Sequence, residues 1–203
     1  IGAGWYEHEW RAYGYGFPSA GDRLGALRDG VEIFRQMWTT GSATHAGRYF
    51  TVDGAICAPR PLQGTVAPGS AANGIPLWVA GGGEKKTLRI AAEYADYTNF
   101  DGAPEGFAAK SEILRGHCAD VGRDFGEITR SANYNVVIGG TETDVEDRLQ
   151  WMAEHFRRAG VPERILEGQL ASMRTQPAVG TIEQVIERLR GLRAVTVPAT
   201  VLW

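Results

Sequence analysis

Pro76-Leu77-Trp78-Val79-Ala80-Gly81-Gly82-Gly83-Glu84-Lys85-Lys86-Thr87 is the stretch that decides how the chain folds. A short apolar run with strand chemistry enters three glycines and passes directly into a helical pattern. That pattern begins near Glu84 and carries Leu88, Ala91, Ala92 and Ala95 on one face. A buried strand handing over to an amphipathic helix is one βα unit, the building block of parallel sheets. Glycines at the handover let main-chain amides approach a ligand closely, and a helix start offers unpaired N–H groups with a partial positive charge. The combination is an anion cradle, most often for phosphate. Lys85 and Lys86 in the first turn oppose the helix dipole by about 0.3 kcal/mol each, a conflict that a bound anion removes. The competing reading is a plain tight turn with solvated lysines. No Gly-Lys-Thr follows at Walker A spacing.

The flanking sequence repeats the pattern. Leu24, Leu27, Val31, Phe34 and Trp38 place an apolar face on Ala20 to Thr39, with Ser19 and Asp22 at its start and Gly41 after its end. Phe107, Ser111, Leu114, Cys118 and Val121 mark another helix between Pro104 and Gly122. Val145, Leu149, Met152 and Phe156 mark a third, with Thr143 and Glu146 expected to open it. Ile165, Leu166, Leu170 and Met173 form a short helix after Pro162. Ile182, Val185, Ile186, Leu189 and Leu192 form the last, opened by Thr181 and Gln184 in capping-box spacing. Between them Leu77–Ala80, Tyr97–Phe100, Tyr134–Ile138 and Val195–Leu202 read as buried strands. Residues 41–74 differ: they read as an insertion, with Tyr49–Asp53 as the one strand-like piece.

An eight-unit (β/α) barrel needs about 250 residues. The 203 residues here supply four or five units plus the insertion. A doubly wound sheet fits the count, whereas a cut barrel fits the ends better. Ile1-Gly2-Ala3-Gly4 reads as a strand already under way, and the run from Val195 stops without a helix behind it. The expectation is a single barrel domain over 1–203, incomplete at both ends.

Composition excludes other classes. Twenty-one basic against 24 acidic side chains leave a net charge of −3, and the basic residues are scattered, which argues against a nucleic-acid surface. No run of 18 apolar residues exists to cross a membrane. Two cysteines cannot build a disulfide framework and fit a reducing cytoplasm. His8, His45, His117 and His155 have no ligand-like spacing, so no metal is expected. Cys118 lies on an apolar stripe and reads as structural.

The chain's first residues carry the second chemical signal. Gly2 and Gly4 resemble half of a dinucleotide fingerprint, without the third glycine. A loop of Trp5, Tyr6, His8, Trp10, Tyr13, Tyr15 and Phe17 follows, a density of rings suited to holding a flat ligand at the carboxyl end of a strand. Loop aromatics packing over the next helix are the alternative. Glu7 and Glu9 read as a solvated rim more readily than as an acid/base pair.

In this order the segments resemble the luciferase-like monooxygenase superfamily, in particular its deazaflavin-dependent branch. Ile1 to Glu9 resembles the fourth strand and its loop, and Ala20 to Trp38 the long helix after it. Gly47-Arg48-Tyr49-Phe50 and Pro59-Arg60-Pro61-Leu62-Gln63 resemble the insertion. Ile75 to Thr87 resembles the fifth strand with its glycine loop, Tyr94 to Asn99 the sixth, and Val179 to Leu189 the late helix that leads to the last strand. The resemblance implies part of a (β/α)₈ barrel, about its fourth to eighth strand, holding coenzyme F420 or, alternatively, riboflavin phosphate (FMN) at its C-terminal face. It implies cofactor contacts at Gly2, Ala3, Gly4 and Trp5, and at Gly81, Gly82, Gly83, Glu84 and Thr87, with Tyr6, Tyr13 and Tyr15 on the substrate side. Flavin-using luciferases place an arginine where Ala3 stands, a departure that favours F420. Some deazaflavin dehydrogenases carry a glutamate where Trp5 stands, so the catalytic residues are left unassigned. The implied activity is hydride transfer between F420 and a small organic substrate by a cytoplasmic enzyme that is a homodimer at full length. The alternatives are an FMN-dependent monooxygenase and a non-catalytic barrel remnant that binds phosphate ligands.

Overall fold

A computed structural model describes residues 1–62, 75–100 and 102–195. The expected closing strand Val195–Leu202 lies outside the described residues, apart from Val195, which ends a helix. The chain divides into two compact units, one of residues 1–99 and 112–130 and the other of 100–111 and 131–203.

In the first unit, α1 (Glu7–Ala12) and α2 (Ala20–Thr40) precede an antiparallel hairpin of β1 (Ser42–Ala46) and β2 (Thr51–Ile56). Then come β3 (Trp78–Ala80), α3 (Thr87–Tyr94) and β4 (Tyr97–Asn99), the βα unit expected from the glycine run. β3 and β4 pair in parallel, with Trp78 opposite Tyr97, and those two rings stack at 4.9 Å. Thr98 is fully buried, and its hydroxyl donates to the Val79 carbonyl at 2.9 Å, so this polar group enters the core already satisfied. α3 begins at Thr87 rather than near Glu84, because residues 84–86 form a turn. Its Leu88, Ala91 and Ala92 are fully buried, the small residues allowing a close approach to the strand. α4 (Pro104–Val121) buries Leu114 and Cys118. Burial raises the Cys118 thiol pKa, which fits a structural residue and not a nucleophile.

Ser19 caps α2, its Oγ accepting from the Asp22 amide at 3.1 Å. Asp29 then fastens the hairpin to α2, one carboxylate oxygen accepting from the amides of Tyr49 (2.8 Å) and Phe50 (3.2 Å). Within residues 41–74, strand β1 was not foreseen, and β2 runs to Ile56, beyond the expected Tyr49–Asp53. Ser42–Ala46 is short and largely polar, which hides its pairing from a hydrophobic pattern. β5 (Thr129–Ser131), also unforeseen, extends the β3–β4 sheet on the far side of β4.

In the second unit, β6 (Val137–Gly139) pairs in parallel with β7 (Val179–Thr181). α5 (Glu142–Arg158) and α6 (Glu163–Arg174) lie between them in sequence, and α7 (Ile182–Val195) follows. Val137, Val145, Leu149, Met173 and Val179 form the core, with Met152 and Leu170 against it. Burying one such leucine is worth about 2 kcal/mol. α5 starts at Thr141 with Asp144, and not at Thr143 with Glu146 as expected: Thr141 Oγ1 accepts from the Asp144 amide and Asp144 Oδ2 from the Thr141 amide. Glu146 instead pairs with Arg174 at 2.7 Å. α7 opens with the expected reciprocal box between Thr181 and Gln184.

Candidate functional site

The two stretches singled out in the sequence meet in the first unit. Ile1 bridges β3 in the parallel sense, its amino group donating to the Trp78 carbonyl at 2.6 Å and its carbonyl accepting from the Ala80 amide at 2.8 Å. Gly2, Ala3, Gly4 and Trp5 therefore leave the sheet at the same carboxyl end as Gly81, Gly82, Gly83 and Glu84. A Cβ on Gly2 would stand 3.2 Å from the Ala80 carbonyl oxygen, closer than most side chains tolerate.

The glycine turn is shaped by its lack of side chains. Gly81 has φ +127, and its amide donates to the Asn99 carbonyl at 2.8 Å, which anchors the turn to the sheet. A Cβ on Gly83 would lie 2.7 Å from Thr87 Oγ1, so only glycine lets the Thr87 hydroxyl face the turn. Thr87 is buried, and among the described residues its hydroxyl has no recorded partner. The same holds for the amides of Gly82, Gly83 and Lys85. No side chain caps α3, whereas Ser19, Thr141 and Thr181 cap the helices they precede. The arrangement is a set of donors converging at the start of a helix, the chemistry that an oxyanion recognises.

Lys86 sends its ammonium toward the start of α2, 3.7 Å from where a Cβ on Gly21 would stand. It adds to the forces that lower the Asp22 pKa, after the hydrogen bonds from Ser19 and Tyr49 and beside Arg48. Lys85 is exposed at the turn.

The aromatic stretch is less of a loop than expected, because Glu7–Ala12 forms α1. Glu7 is paired with Arg11 at 2.7 Å, an i,i+4 bridge that occupies it. Trp10 folds back over Gly4, where a Cβ would be 2.7 Å from its Nε1. It meets Tyr15 and Phe17 edge-on at 6.5 and 6.0 Å. Arg23 braces this group: it lies over the Phe17 ring at 4.0 Å, donates to the Gly4 carbonyl at 3.1 Å, and also donates to the Pro18 carbonyl. Tyr6 packs between Trp5 and His8. Trp5, Tyr13 and Tyr15 remain more than 70% exposed, too much apolar surface in 15 residues to pass as core packing.

Two contributors were not anticipated. Arg23 was hidden in the polar face of a helix. The spacing of His117 pointed only away from a metal site, yet its Nε2 lies 2.7 Å from the Glu84 carbonyl oxygen and touches the middle of the glycine turn. In the second unit a cavity of about 180 Å³ opens between Asn133, Tyr134, Ser172 and Gln176, and none of the anticipated site residues lines it. Among the described residues no helix is long and apolar enough to cross a membrane.

Known proteins share this arrangement of elements. The pyrimidine monooxygenase RutA of Stutzerimonas stutzeri (strain A1501) is 26% identical over 169 residues, 80% of this chain and 42% of that protein. The chain thus spans about two fifths of the length of the curated relatives it matches. An F420-dependent secondary alcohol dehydrogenase, solved with an F420-acetone adduct, superposes with a TM-score of 0.73 at 18% identity, over 96% of this chain and 59% of that one. The F420-dependent tetrahydromethanopterin reductase of Methanopyrus kandleri gives 0.67 at 18% identity, over 98% and 66%. These likenesses establish the fold as part of a luciferase-like TIM barrel, whose strands appear here as small, unclosed sheets. Residues 1–198 match the luciferase-like monooxygenase family, and the chain belongs to it.

Proposed function

We propose that this chain forms the phosphate-holding part of an oxidoreductase that moves a hydride between coenzyme F420 and a small organic substrate. The observation that carries the proposal is the turn after β3. Its glycines leave the amides of Gly82 and Gly83 without an acceptor among the described residues, and Thr87 adds a hydroxyl at the same place. A phosphate fits such a cradle because every donor is fixed by the backbone before the ligand arrives, so little is lost in ordering them. The Lys85 amide, also without an acceptor among the described residues, completes the set. Gly2, Ala3, Gly4 and Trp5, brought to the same end of β3, line the neighbouring surface.

When bound, the deazaflavin ring supplies the hydride chemistry. The protein's own residues bind, orient and exclude water. Trp10, braced by Arg23, covers Gly4 and stiffens the stretch that carries Trp5. Tyr6, Tyr13 and Tyr15 offer flat surfaces on which an organic substrate can be pressed against the ring. Ala3 contributes no charge, which suits F420 better than a flavin site that relies on an arginine there.

A second reading, an FMN-dependent monooxygenase, draws support from the RutA relatives, which are monooxygenases by name. Titrating the full-length protein with F420 and with FMN, and following fluorescence quenching, separates the two. F420 is expected to bind at least tenfold more tightly. A reversed preference favours the second reading, and binding of neither cofactor overturns both.

A further inference from the structure

We infer that His117 is a positioning residue of the phosphate cradle, acting through the peptide group that joins Glu84 to Lys85. The inference rests on the functional reading above and goes beyond it, because nothing in the family resemblance assigns a role to this side chain.

A carbonyl oxygen only accepts, so the 2.7 Å contact requires that His117 Nε2 carry a hydrogen and donate it to Glu84. In a planar trans peptide the C=O and the following N–H point in opposite directions. Holding the Glu84 carbonyl toward α4 therefore turns the Lys85 amide away from α4, and that amide has no recorded acceptor among the described residues. His117 fixes where one of the cradle's donors points.

The platform beneath His117 is rigid. Its neighbours Leu114 and Cys118 are fully buried. Arg89 on α3 pairs with Asp120 on α4 at 3.2 Å, and Arg123 donates to the Ala92 carbonyl at 3.1 Å. The imidazole thus stands on a helix already bound to α3, within reach of the turn. Main-chain bonds tie that turn from Gly81 to Asn99 at one end and from Leu88 to Gly83 at the other. His117 adds a hold on the stretch between them, supplied from 33 residues away.

The test compares two ligands that differ at the phosphate, using the full-length protein. For a flavin-binding protein these are FMN and riboflavin; for a deazaflavin-binding protein they are the 5′-phosphate of the deazaflavin riboside and the riboside itself. The ratio of their dissociation constants isolates what the cradle contributes. His117→Leu removes the donor and is expected to shrink that ratio about tenfold, while affinity for the phosphate-free ligand stays within about twofold. His117→Gln, whose amide reaches the same carbonyl, restores most of the ratio. His117→Asn, one bond shorter, behaves like leucine and serves if the leucine variant fails to accumulate folded. A merely structural histidine would lower affinity for both ligands together, or lower only the melting temperature, and either result overturns the inference. An unchanged ratio in both Leu and Asn variants overturns it as well, while the functional reading stands. If the unsubstituted protein shows no preference for the phosphorylated ligand, the functional reading itself fails, and the inference with it.

Discussion

After β6 the chain turns through Gly139 and Gly140 into α5; after β3 it turns through Gly81, Gly82 and Gly83 into α3. Both turns join a parallel strand to a helix, and the two finish that job in opposite ways. In the first, Thr141 and Asp144 take each other's amides, and Arg148 donates to the Ile138 carbonyl. A Cβ on Gly139 would collide with Asp144 Cβ, the Val145 amide and the Thr141 carbonyl, all within 2.9 Å. The turn is filled with its own atoms. In the second, α3 has no side-chain cap, two lysines stand where carboxylates would stabilise a helix, and a Cβ on Gly83 would meet Thr87 alone, 2.7 Å from its Oγ1 and 3.4 Å from its Cβ. The difference teaches that glycine alone does not mark a ligand site. It is glycine without a capping partner that leaves donors available.

The sharpest way to break this comparison is to put the same methyl group into each turn. Gly83→Ala displaces the Thr87 hydroxyl, and is expected to weaken binding of the phosphorylated cofactor about 10- to 100-fold, equivalent to one charge-assisted hydrogen bond at about 1.5–3 kcal/mol. Its thermal midpoint should move little. Gly139→Ala is expected to do the reverse, costing about 2 kcal/mol of stability by overpacking against backbone, with cofactor affinity of the folded fraction unchanged. Calorimetry and quenching titrations on the two variants check both halves. If each variant lowers both quantities alike, the two turns do not differ in kind.

A smaller effect tests the closed turn alone. Thr141→Ala removes a cap and should cost about 1 kcal/mol, seen as a lower urea midpoint. Amide exchange should quicken in the first turn of α5 and stay unchanged at the start of α3, which has no side-chain cap to lose.

This contrast was only half legible in the sequence. The strand, glycine turn and helix could be read directly, because a short apolar run, three glycines and an apolar stripe follow one another in the sequence. The closed turn was misplaced by two residues, since Thr141-Glu142-Thr143-Asp144-Val145-Glu146 contains two overlapping capping patterns. Which one forms depends on where β6 ends, a matter of pairing with β7 that local spacing does not contain. Helix faces were legible, because an amphipathic stripe repeats along one element. Strand β1 was not, being polar and paired only through its partner. Among the aromatics, α1 left a local trace in the Glu7–Arg11 spacing, outweighed by the density of rings. His117 left none: its partner is a main-chain carbonyl, and a carbonyl has no residue type to recognise.

Acid offers a graded version of the capping test. Asp144 has its carboxyl pKa lowered from its ordinary 3.8, first by the Thr141 hydroxyl and then by the Thr141 amide. A carboxylate depressed in the folded state contributes stability that is complete above its unfolded value, and that is lost as pH falls through the folded one. The start of α5 should therefore loosen as pH drops below about 4, while the start of α3, with no carboxylate cap, should not follow it. Residue-resolved amide exchange in mild acid checks this, and Asp144→Asn should reduce the pH dependence at α5 to the part that the Glu146–Arg174 pair contributes. Parallel loosening of both helices would mean that the cap does not distinguish them.

The smallest expected effect concerns charge at the open turn. Lys86→Glu places a carboxylate where the helix dipole favours one, a gain of about 0.5 kcal/mol. It also removes the ammonium that helps to hold Asp22 ionised, so the two changes offset each other in stability. They do not offset in binding: a phosphate arriving at Gly82 and Gly83 loses an attractive charge nearby and gains a repulsive one. Because Lys86 is exposed, its influence travels through solvent and is screened by salt. The substitution should weaken the phosphorylated cofactor several-fold at about 0.02 M salt and hardly at all at about 0.5 M. The Gly83→Ala defect, which is steric, should persist across that range. A salt-insensitive Lys86→Glu defect would show that the lysine acts by packing at the start of α2, and the open turn would then recognise its anion through the main chain alone.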